Sequence, residues 1–248
     1  MSAELRPGER IEDLQYKGLR IIQGEGGFRF GTDSVLLAGF VRGTASERMI
    51  DLGAGCGVIA ILIEGRIGAK LTALELQPGG CDMARRSALL NGQDIDVVEG
   101  DMREAYKTLG RGVFDAAVCN PPYYPASGGA VSKKGEAGFE GAATHDVYCT
   151  LPEVAKAANS LIKFGGRFFI CCPASRLAEA FCALKGESLE PKRMRLVASR
   201  ADKPPYLALI EAKKGAAPGL LIEKQLIIMD TDGSYTRETD EIYHREHE

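Results

Sequence analysis

The sequence predicts an α/β fold, a mostly parallel sheet carrying helices on both faces. Three observations predict it. A glycine-rich turn, Asp51-Leu52-Gly53-Ala54-Gly55-Cys56-Gly57, joins the strand candidate Met49-Ile50 to the apolar run Val58-Ile59-Ala60-Ile61-Leu62-Ile63. A second strand candidate, Lys70 to Glu75, ends in an acid 24 positions after Asp51, the separation expected of a βαβ unit. Further on, short apolar runs keep alternating with stretches of helical periodicity, and one of them, Phe114 to Cys119, runs straight into Asn120-Pro121-Pro122-Tyr123.

The bulk numbers bound the function. A chain of 248 residues holds one α/β domain with extensions. With a formal net charge of -3 it is no polycation, so contact with nucleic acid has to come from a local basic patch. Seven cysteines, an odd number without metal-type spacing, read as reduced thiols in a cytoplasmic protein, each a small buried hydrophobe. No metal site is expected. No charged-then-apolar leader opens the chain and no apolar run reaches bilayer length, so no membrane partner is expected either. Monomer and homodimer both stay open.

Residues 1–15 are polar and mixed in charge, and read as a frayed or lightly docked arm. Tyr16 to Ile22 is a short strand candidate, followed by a turn at Gly24 to Gly27. Next comes Phe28-Arg29-Phe30-Gly31-Thr32-Asp33-Ser34, leading into the apolar run Val35 to Phe40. Thr32 or Asp33 suits the N-cap of that helix. The cap either serves the helix alone or also faces a ligand.

In the turn from Asp51 to Gly57, three alternating glycines exceed the needs of a tight loop. Without Cβ atoms, a ligand can reach the backbone, and the free amides at the following helix N-terminus can meet it. The dinucleotide fingerprint is Gly-x-Gly-x-x-Gly. Here the pattern is Gly-x-Gly-x-Gly with an acid two positions before the first glycine. It resembles motif I of the class I S-adenosylmethionine-dependent methyltransferases, whose cofactor has a methionine tail in place of a pyrophosphate. The resemblance implies S-adenosylmethionine bound by Asp51, Gly53, Gly55 and Gly57. Gly31, Thr32 and Asp33 resemble motif X of amino-methyltransferases, which implies a place at the methionine end.

Glu75 then falls where a carboxylate accepts both ribose hydroxyl hydrogens, with Leu76 beside it. Cys81 to Asn91 is a helix with Met83, Ala84, Ala88 and Leu89 inward and Arg85 and Arg86 outward. Asp96 to Met102 is a third strand and its turn. In the methyltransferase pattern Asp101 accepts the exocyclic N–H of the cofactor's adenine and Met102 contacts the ring. The alternative for Asp101 is a cap for a helix starting near Glu104.

At Asn120-Pro121-Pro122-Tyr123 two prolines fix φ and remove two amide donors. The turn offers carbonyl oxygens and the Asn120 side chain as acceptors, with an aromatic beside them. A planar amino group such as adenine N6 is a poor nucleophile because its lone pair is delocalised into the ring. Asn120 Oδ1 and the Pro121 carbonyl can each accept one N6–H, while Tyr123 stacks on the base. Catalysis is then positioning and electrostatics, without a metal or a strong base.

The long segment from Tyr124 to Thr144 reads as a mobile substrate loop, its Lys133 and Lys134 either touching phosphate or simply solvated. His145-Asp146 precedes a helix from Val147 to Leu161, which Gly165-Gly166 stops. Arg167 to Pro173 is a buried strand and Ser175 to Leu184 another helix. Strands follow at Met194 to Val197, Tyr206 to Ala212 and Leu220 to Met229. Among them lie Lys192, Arg193, Arg195, Lys213 and Lys214, the chain's concentration of positive charge, which is either a phosphate-tracking surface or a solvated face. The domain is expected to span 16–236, with a polar tail over 237–248.

From Phe30-Gly31-Thr32-Asp33, the glycine turn, Glu75, Asn120-Pro121-Pro122-Tyr123 and the Arg-rich stretch with Lys213-Lys214-Gly215, the chain resembles the bacterial tRNA1(Val) adenine-N6-methyltransferases. His145-Asp146 is similar to a His-acid pair of that family, although Thr144 stands where an Arg precedes it there. The resemblance implies a Rossmann-like class I methyltransferase fold with a seven-stranded sheet, S-adenosylmethionine as cofactor, tRNA as partner, and N6-methylation of an anticodon-loop adenine. Protein-glutamine N5-methyltransferases share the acceptor motif but carry a larger helical N-terminal domain. Ribosomal RNA guanine-N2 methyltransferases share it too and usually carry a second methyltransferase-like domain. A non-catalytic RNA-binding protein with a cofactor fold is the reading from another class.

Overall fold

The computed structural model describes residues 4–24, 31–121 and 149–245. Strands β1 (Glu9–Asp13) and β2 (Arg20–Gly24) pair antiparallel as a hairpin of their own. The expected loose arm is therefore an ordered strand. Its Glu9 carboxylate binds Arg86, and Leu14 just after it is buried.

Helix α1 (Thr32–Phe40) follows, then β3 (Arg48–Leu52), α2 (Val58–Ile67), β4 (Lys70–Glu75), α3 (Pro78–Leu90), β5 (Ile95–Glu99), α4 (Tyr106–Leu109) and β6 (Phe114–Cys119). After the undescribed stretch come α5 (Leu151–Leu161), β7 (Ile162–Pro173), α6 (Leu177–Gly186), β8 (Leu189–Ala198), β9 (Leu207–Lys214), two-residue strands β10 (Leu221–Ile222) and β11 (Leu226–Ile227), and α7 (Arg237–Tyr243). β7 starts well before the expected Arg167, because Gly165 and Gly166 sit inside the strand instead of ahead of it.

The central sheet runs β5-β4-β3-β6-β7-β9-β8, with β10 and β11 both added along β8. From β5 to β7 every pairing is parallel, while β9 lies antiparallel between β7 and β8. The parallel strands are continuous apolar runs, as burial on both faces requires. One apolar layer packs α1 and α2 on the sheet, and the other packs α5 and α6 on the opposite face. α2 is buried from Val58 through Ile63. The chain winds outward from β3 through β4 to β5, then returns to lay β6 on the other side of β3. At that reversal the carboxyl ends of β3 and β6 stand side by side, Asp51 opposite Val118, which opens the crevice where ligands of such sheets bind.

Two further expectations are corrected. Arg86 does not face solvent: it is 4% exposed and grips Glu9 and Asp82. A helix covered on one side by the β1–β2 hairpin has no outward face there. The expected polar tail is partly folded as well, since Arg237–Tyr243 form α7, capped by the Thr236 hydroxyl. This helix docks on α1, where Gly39 lacks the Cβ that would press on Ile242. Tyr16 meets His244 edge to face.

Candidate active site

The glycine turn is built by backbone conformation. Gly53, Gly55 and Gly57 all have positive φ, at 76°, 56° and 92°, a region that costs other residues about 1–2 kcal/mol each. A Cβ on Gly57 would also sit 3.3 Å from the Ala84 Cβ. The backbone is thereby bent under the N-terminus of α2, leaving the turn open above it.

Glu75, at the end of β4, holds the turn from the other side. Its Oε2 accepts the Gly55 amide at 2.8 Å and its Oε1 accepts the Gln77 amide at 2.8 Å. Gly80 completes this contact: a Cβ there would come within 2.9 Å of the Glu75 side chain and 3.1 Å of the Gly55 carbonyl. Glu75 stays half-exposed and the Leu76 side chain is exposed beside it.

Asp51 is fully buried at the end of β3, and neither carboxylate oxygen has a hydrogen-bond partner. Burial pushes its pKa up to about 7; the Ala60 amide at the helix N-terminus pulls the other way without reaching bonding geometry, and the Glu75 charge adds to the rise. A buried, unpartnered carboxylate is costly to ionise unless a cation pairs with it. The α-ammonium of S-adenosylmethionine would supply such a cation, and each Glu75 oxygen, holding one backbone amide, keeps a lone pair that could accept a ribose hydroxyl, so the donor set fits this cofactor.

Two remaining cofactor candidates need qualification. Asp101 is engaged by Arg103, with Nε to Oδ2 at 2.9 Å, and this guanidinium holds its carboxyl below the usual range. A carboxylate has about four acceptor sites, so room is left for an adenine N–H. Met102 packs its methyl 3.4 Å from where a Gly53 Cβ would be, which ties it to the turn. At the head of α1, the cap is Gly31, and its backbone carbonyl accepts the Ser34 amide at 3.2 Å. Thr32 and Asp33 are already inside the helix and supply no side-chain cap, contrary to the expected capping role. Asp33 is instead desolvated, which raises its pKa, and its charge bears on Tyr206.

The reacting end lies across the crevice. Asn120 follows β6 directly and Pro121 is buried behind it. Asn120 Nδ2 donates to Ser34 Oγ at 3.0 Å, and its Oδ1 accepts the Cys171 thiol at 3.1 Å. The carboxamide is thus held at both ends, and an amide oxygen has two lone pairs with which to accept. Neither Ser34 nor Cys171 stands out in the sequence: one sits in an apolar helix, the other in a buried strand. Gly80 and Arg103 carry no sequence signal either. Pro122, Tyr123, Lys133, Lys134 and His145-Asp146 lie outside the described residues.

The basic residues expected to contact RNA do not form one surface. Arg193 is 5% exposed, bound to Glu211 and Glu223 and to the Phe40 carbonyl, with its guanidinium 3.6 Å over the Phe40 ring. It is a structural pin and is corrected as such. Arg195 is mostly buried and pairs with Glu238 and the Lys224 carbonyl. Lys192 donates to the Ala217 carbonyl at 3.1 Å. Lys214 caps the end of α5 through the Asn159 and Ile162 carbonyls, leaving Lys213 exposed next to it. The β8 bulge between Pro191 and Arg193 and the separate ion pairs of Arg193 and Arg195 divide the cluster. Among the described residues no three His, Cys, Asp or Glu side chains gather as a metal site, and no helix is long and apolar enough to cross a membrane.

Comparison with known proteins agrees with this geometry. Residues 26–145 match the methyltransferase small domain family. The chain is 26% identical over 199 residues to a tRNA1(Val) (adenine(37)-N6)-methyltransferase of Bacteroides fragilis, covering 79% of this chain and 82% of that one. It is 26% identical over 240 residues to the protein of that name from Dickeya chrysanthemi, covering 93% and 92%. In fold it is similar to a predicted O-methyltransferase from Agrobacterium tumefaciens, with a TM-score of 0.70 at 22% identity over 86% of this chain and 96% of that one. The Thermus thermophilus 16S rRNA N2 G1207 methyltransferase, solved with AdoMet and guanosine, gives 0.59 at 18% identity over 85% and 52%. The glycine turn, the sheet order and these matches agree: residues 26–145 match the methyltransferase small domain, and the chain has the Rossmann-like fold of class I methyltransferases.

Proposed function

We propose that the chain methylates N6 of an adenine in tRNA, at an anticodon-loop position of the kind named for its relatives, with S-adenosylmethionine as donor. The observation that carries the reading is the Asn120 carboxamide, held between Ser34 and Cys171 at the end of the strand next to Asp51.

When bound, the cofactor supplies a methyl already activated on a sulfonium, so the chain needs no strong base to drive transfer. What the chain supplies is placement. Asp51 neutralises the cofactor's ammonium and Glu75 holds its ribose. Asn120 Oδ1 accepts one N6–H of the target adenine and the Pro121 carbonyl accepts the other. With both protons engaged, N6 is drawn toward tetrahedral geometry, its lone pair is withdrawn from conjugation with the ring and can attack the methyl, and one N6 proton, acidic once the N–CH3 bond forms, leaves to solvent. Ser34 has a separate task. By accepting from Nδ2 it keeps the carboxamide from turning its NH2 toward the substrate, where a donor would repel N6–H. The names of the relatives support tRNA over other acceptors.

The test is methyl transfer from labelled S-adenosylmethionine to total tRNA, followed by digestion to nucleosides, with Asn120→Ala as control. The expected product is N6-methyladenosine that disappears in the control. N2-methylguanosine, or label in protein glutamine and none in RNA, would overturn the reading.

A further inference from the structure

A groove of about 750 Å³ runs along α5 on the face of the sheet that carries α4, α5 and α6. It starts at Arg103, in the turn after the carboxyl end of β5, and ends at Lys163 and Phe164, at the amino end of β7. α5 is 11 residues long, so the groove spans roughly 16 Å at ~1.5 Å per residue. Its lining holds five cationic side chains against the two acids Glu153 and Glu187, in a chain whose formal charge is -3.

The cations are not all spent on ion pairs. Arg103 binds Asp101, Lys163 binds Asp115 and Lys214 caps α5. Arg111 and Lys156 are exposed and make no ion pair among the described residues. The Arg111 guanidinium carbon sits over the Tyr106 ring, 3.8 Å from its centroid, which orients it without neutralising it. The positive charge of Arg111 also adds to burial in lowering the pKa of Lys214, as cations do where no anion stands between them. At the far end Phe164 is 82% exposed. Its ring rests where a Cβ on Gly215 would come within 2.2 Å, so Gly215 makes the seat that holds an aromatic face outward.

We infer that this groove binds the phosphodiester backbone of the RNA substrate, with Arg111 and Lys156 on phosphates and Phe164 stacking on an unpaired base. Cations lining a channel with a base-sized aromatic at its mouth are the two parts that single-stranded nucleic acid sites combine. One end of the groove is Arg103, which pairs with the cofactor candidate Asp101, so RNA bound along α5 would run toward the crevice. The inference rests on tRNA being the substrate.

The experiment measures binding of total tRNA to the full chain from 50 to 300 mM KCl, for the wild type, Lys156→Glu, Arg111→Glu, Phe164→Ala and the charge-preserving Lys156→Arg. Each charge reversal is expected to flatten the slope of log affinity against log salt by about 0.7–0.9 for every phosphate the side chain neutralises in the wild type. Phe164→Ala should weaken binding about tenfold with an unchanged slope. Lys156→Arg should match the wild type, as should the cofactor affinity of every variant. If the wild type methylates tRNA while both reversals keep its slope, the groove inference falls and the tRNA reading stands. If the wild type neither binds nor methylates tRNA, both fall. A reversal that lowers affinity for free nucleoside triphosphate but not for tRNA makes the groove a small-anion site and overturns the inference.

Discussion

Replacing Asp51 by Asn should stabilise the cofactor-free protein, and by an amount that grows with pH. In the folded chain burial holds the Asp51 pKa at about 7. In the unfolded chain the group returns to an ordinary value of ~3.9. Above that value the unfolded state ionises freely, while the folded state keeps its proton until about pH 7 or carries a desolvated charge. The folded chain therefore binds more protons than the unfolded one between these pKa values, and stability falls as pH rises through this window. About three pKa units correspond to ~4 kcal/mol, fully lost by pH 8. Asn has nearly the same shape and cannot ionise. The assay is urea unfolding of the wild type and Asp51→Asn without cofactor. Between pH 5 and 8 the variant should gain roughly 2.5 kcal/mol on the wild type, a large part of the total stability of a small domain. Any constant penalty of a buried, unpaired carboxamide cancels, because only the change with pH is read. A gap that stays within about 0.5 kcal/mol across the range would refute the buried-charge argument.

Three other substitutions probe separate joints of the same architecture. Ser34→Ala removes the acceptor for Asn120 Nδ2; single-turnover methyl transfer should slow about tenfold while cofactor Kd stays within about twofold, and equal rates would show that the carboxamide orients itself. Gly57→Ala forces a side chain to φ 92° and toward Ala84, and urea denaturation should report a loss of about 1–2 kcal/mol or more; an unchanged midpoint would mean the turn relaxes freely. Arg86→Ala removes the buried guanidinium from Glu9 and Asp82, leaving, among the described residues, Glu9 only the Arg6 amide and Asp82 only the Arg6 side chain, and should cost about 3 kcal/mol in thermal unfolding. Arg86→Met, which refills the space but restores no charge, should recover only the packing part of that loss, and a Met variant as stable as the wild type would mean the ion pairs contribute nothing.

Local chemistry is legible in a sequence where one residue type is demanded by backbone conformation. The glycine turn is such a case: three residues at positive φ leave few alternatives, and the strand before it, the helix after it and Glu75 at β4 all lie where the spacing places them. Asn120 is legible as the residue that ends a buried strand before two prolines, which restrict its backbone but not its identity. Long-range partnership is what the sequence hides. Ser34 reaches Asn120 across 86 positions and Cys171 across 51, and neither residue type has a spacing rule that announces it. Arg86 looks solvent-facing because nothing local shows that β1 will cover α3. The basic cluster fails differently: Arg193 is buried on Glu211 and Glu223, while Lys192 stands in the β8 bulge and Lys213 on another strand is exposed.

The burial of Asp51 also makes a prediction about ligand binding, and that one separates function from mere strain. A carboxylate that costs stability is retained where something else uses it. If its task is to receive the cofactor's ammonium, binding must select the ionised form, because a protonated acid offers a cation little. Below about pH 7 the free protein carries that proton and has to release it on binding. Affinity for S-adenosylmethionine should then rise with pH, approaching tenfold per unit near pH 5–6, and level off at about pH 7. Calorimetry at pH 6 in two buffers of different ionisation enthalpy should find close to one proton released per cofactor bound, falling through zero to net uptake near pH 8, where the free cofactor's α-amine of pKa ~7.8 must gain a proton to bind as ammonium. Asp51→Asn should bind weakly, without proton release and without that rise of affinity with pH. Wild-type binding that releases no proton at pH 6 would mean Asp51 is ionised before the cofactor arrives, and the receptor argument would have to pass to another group.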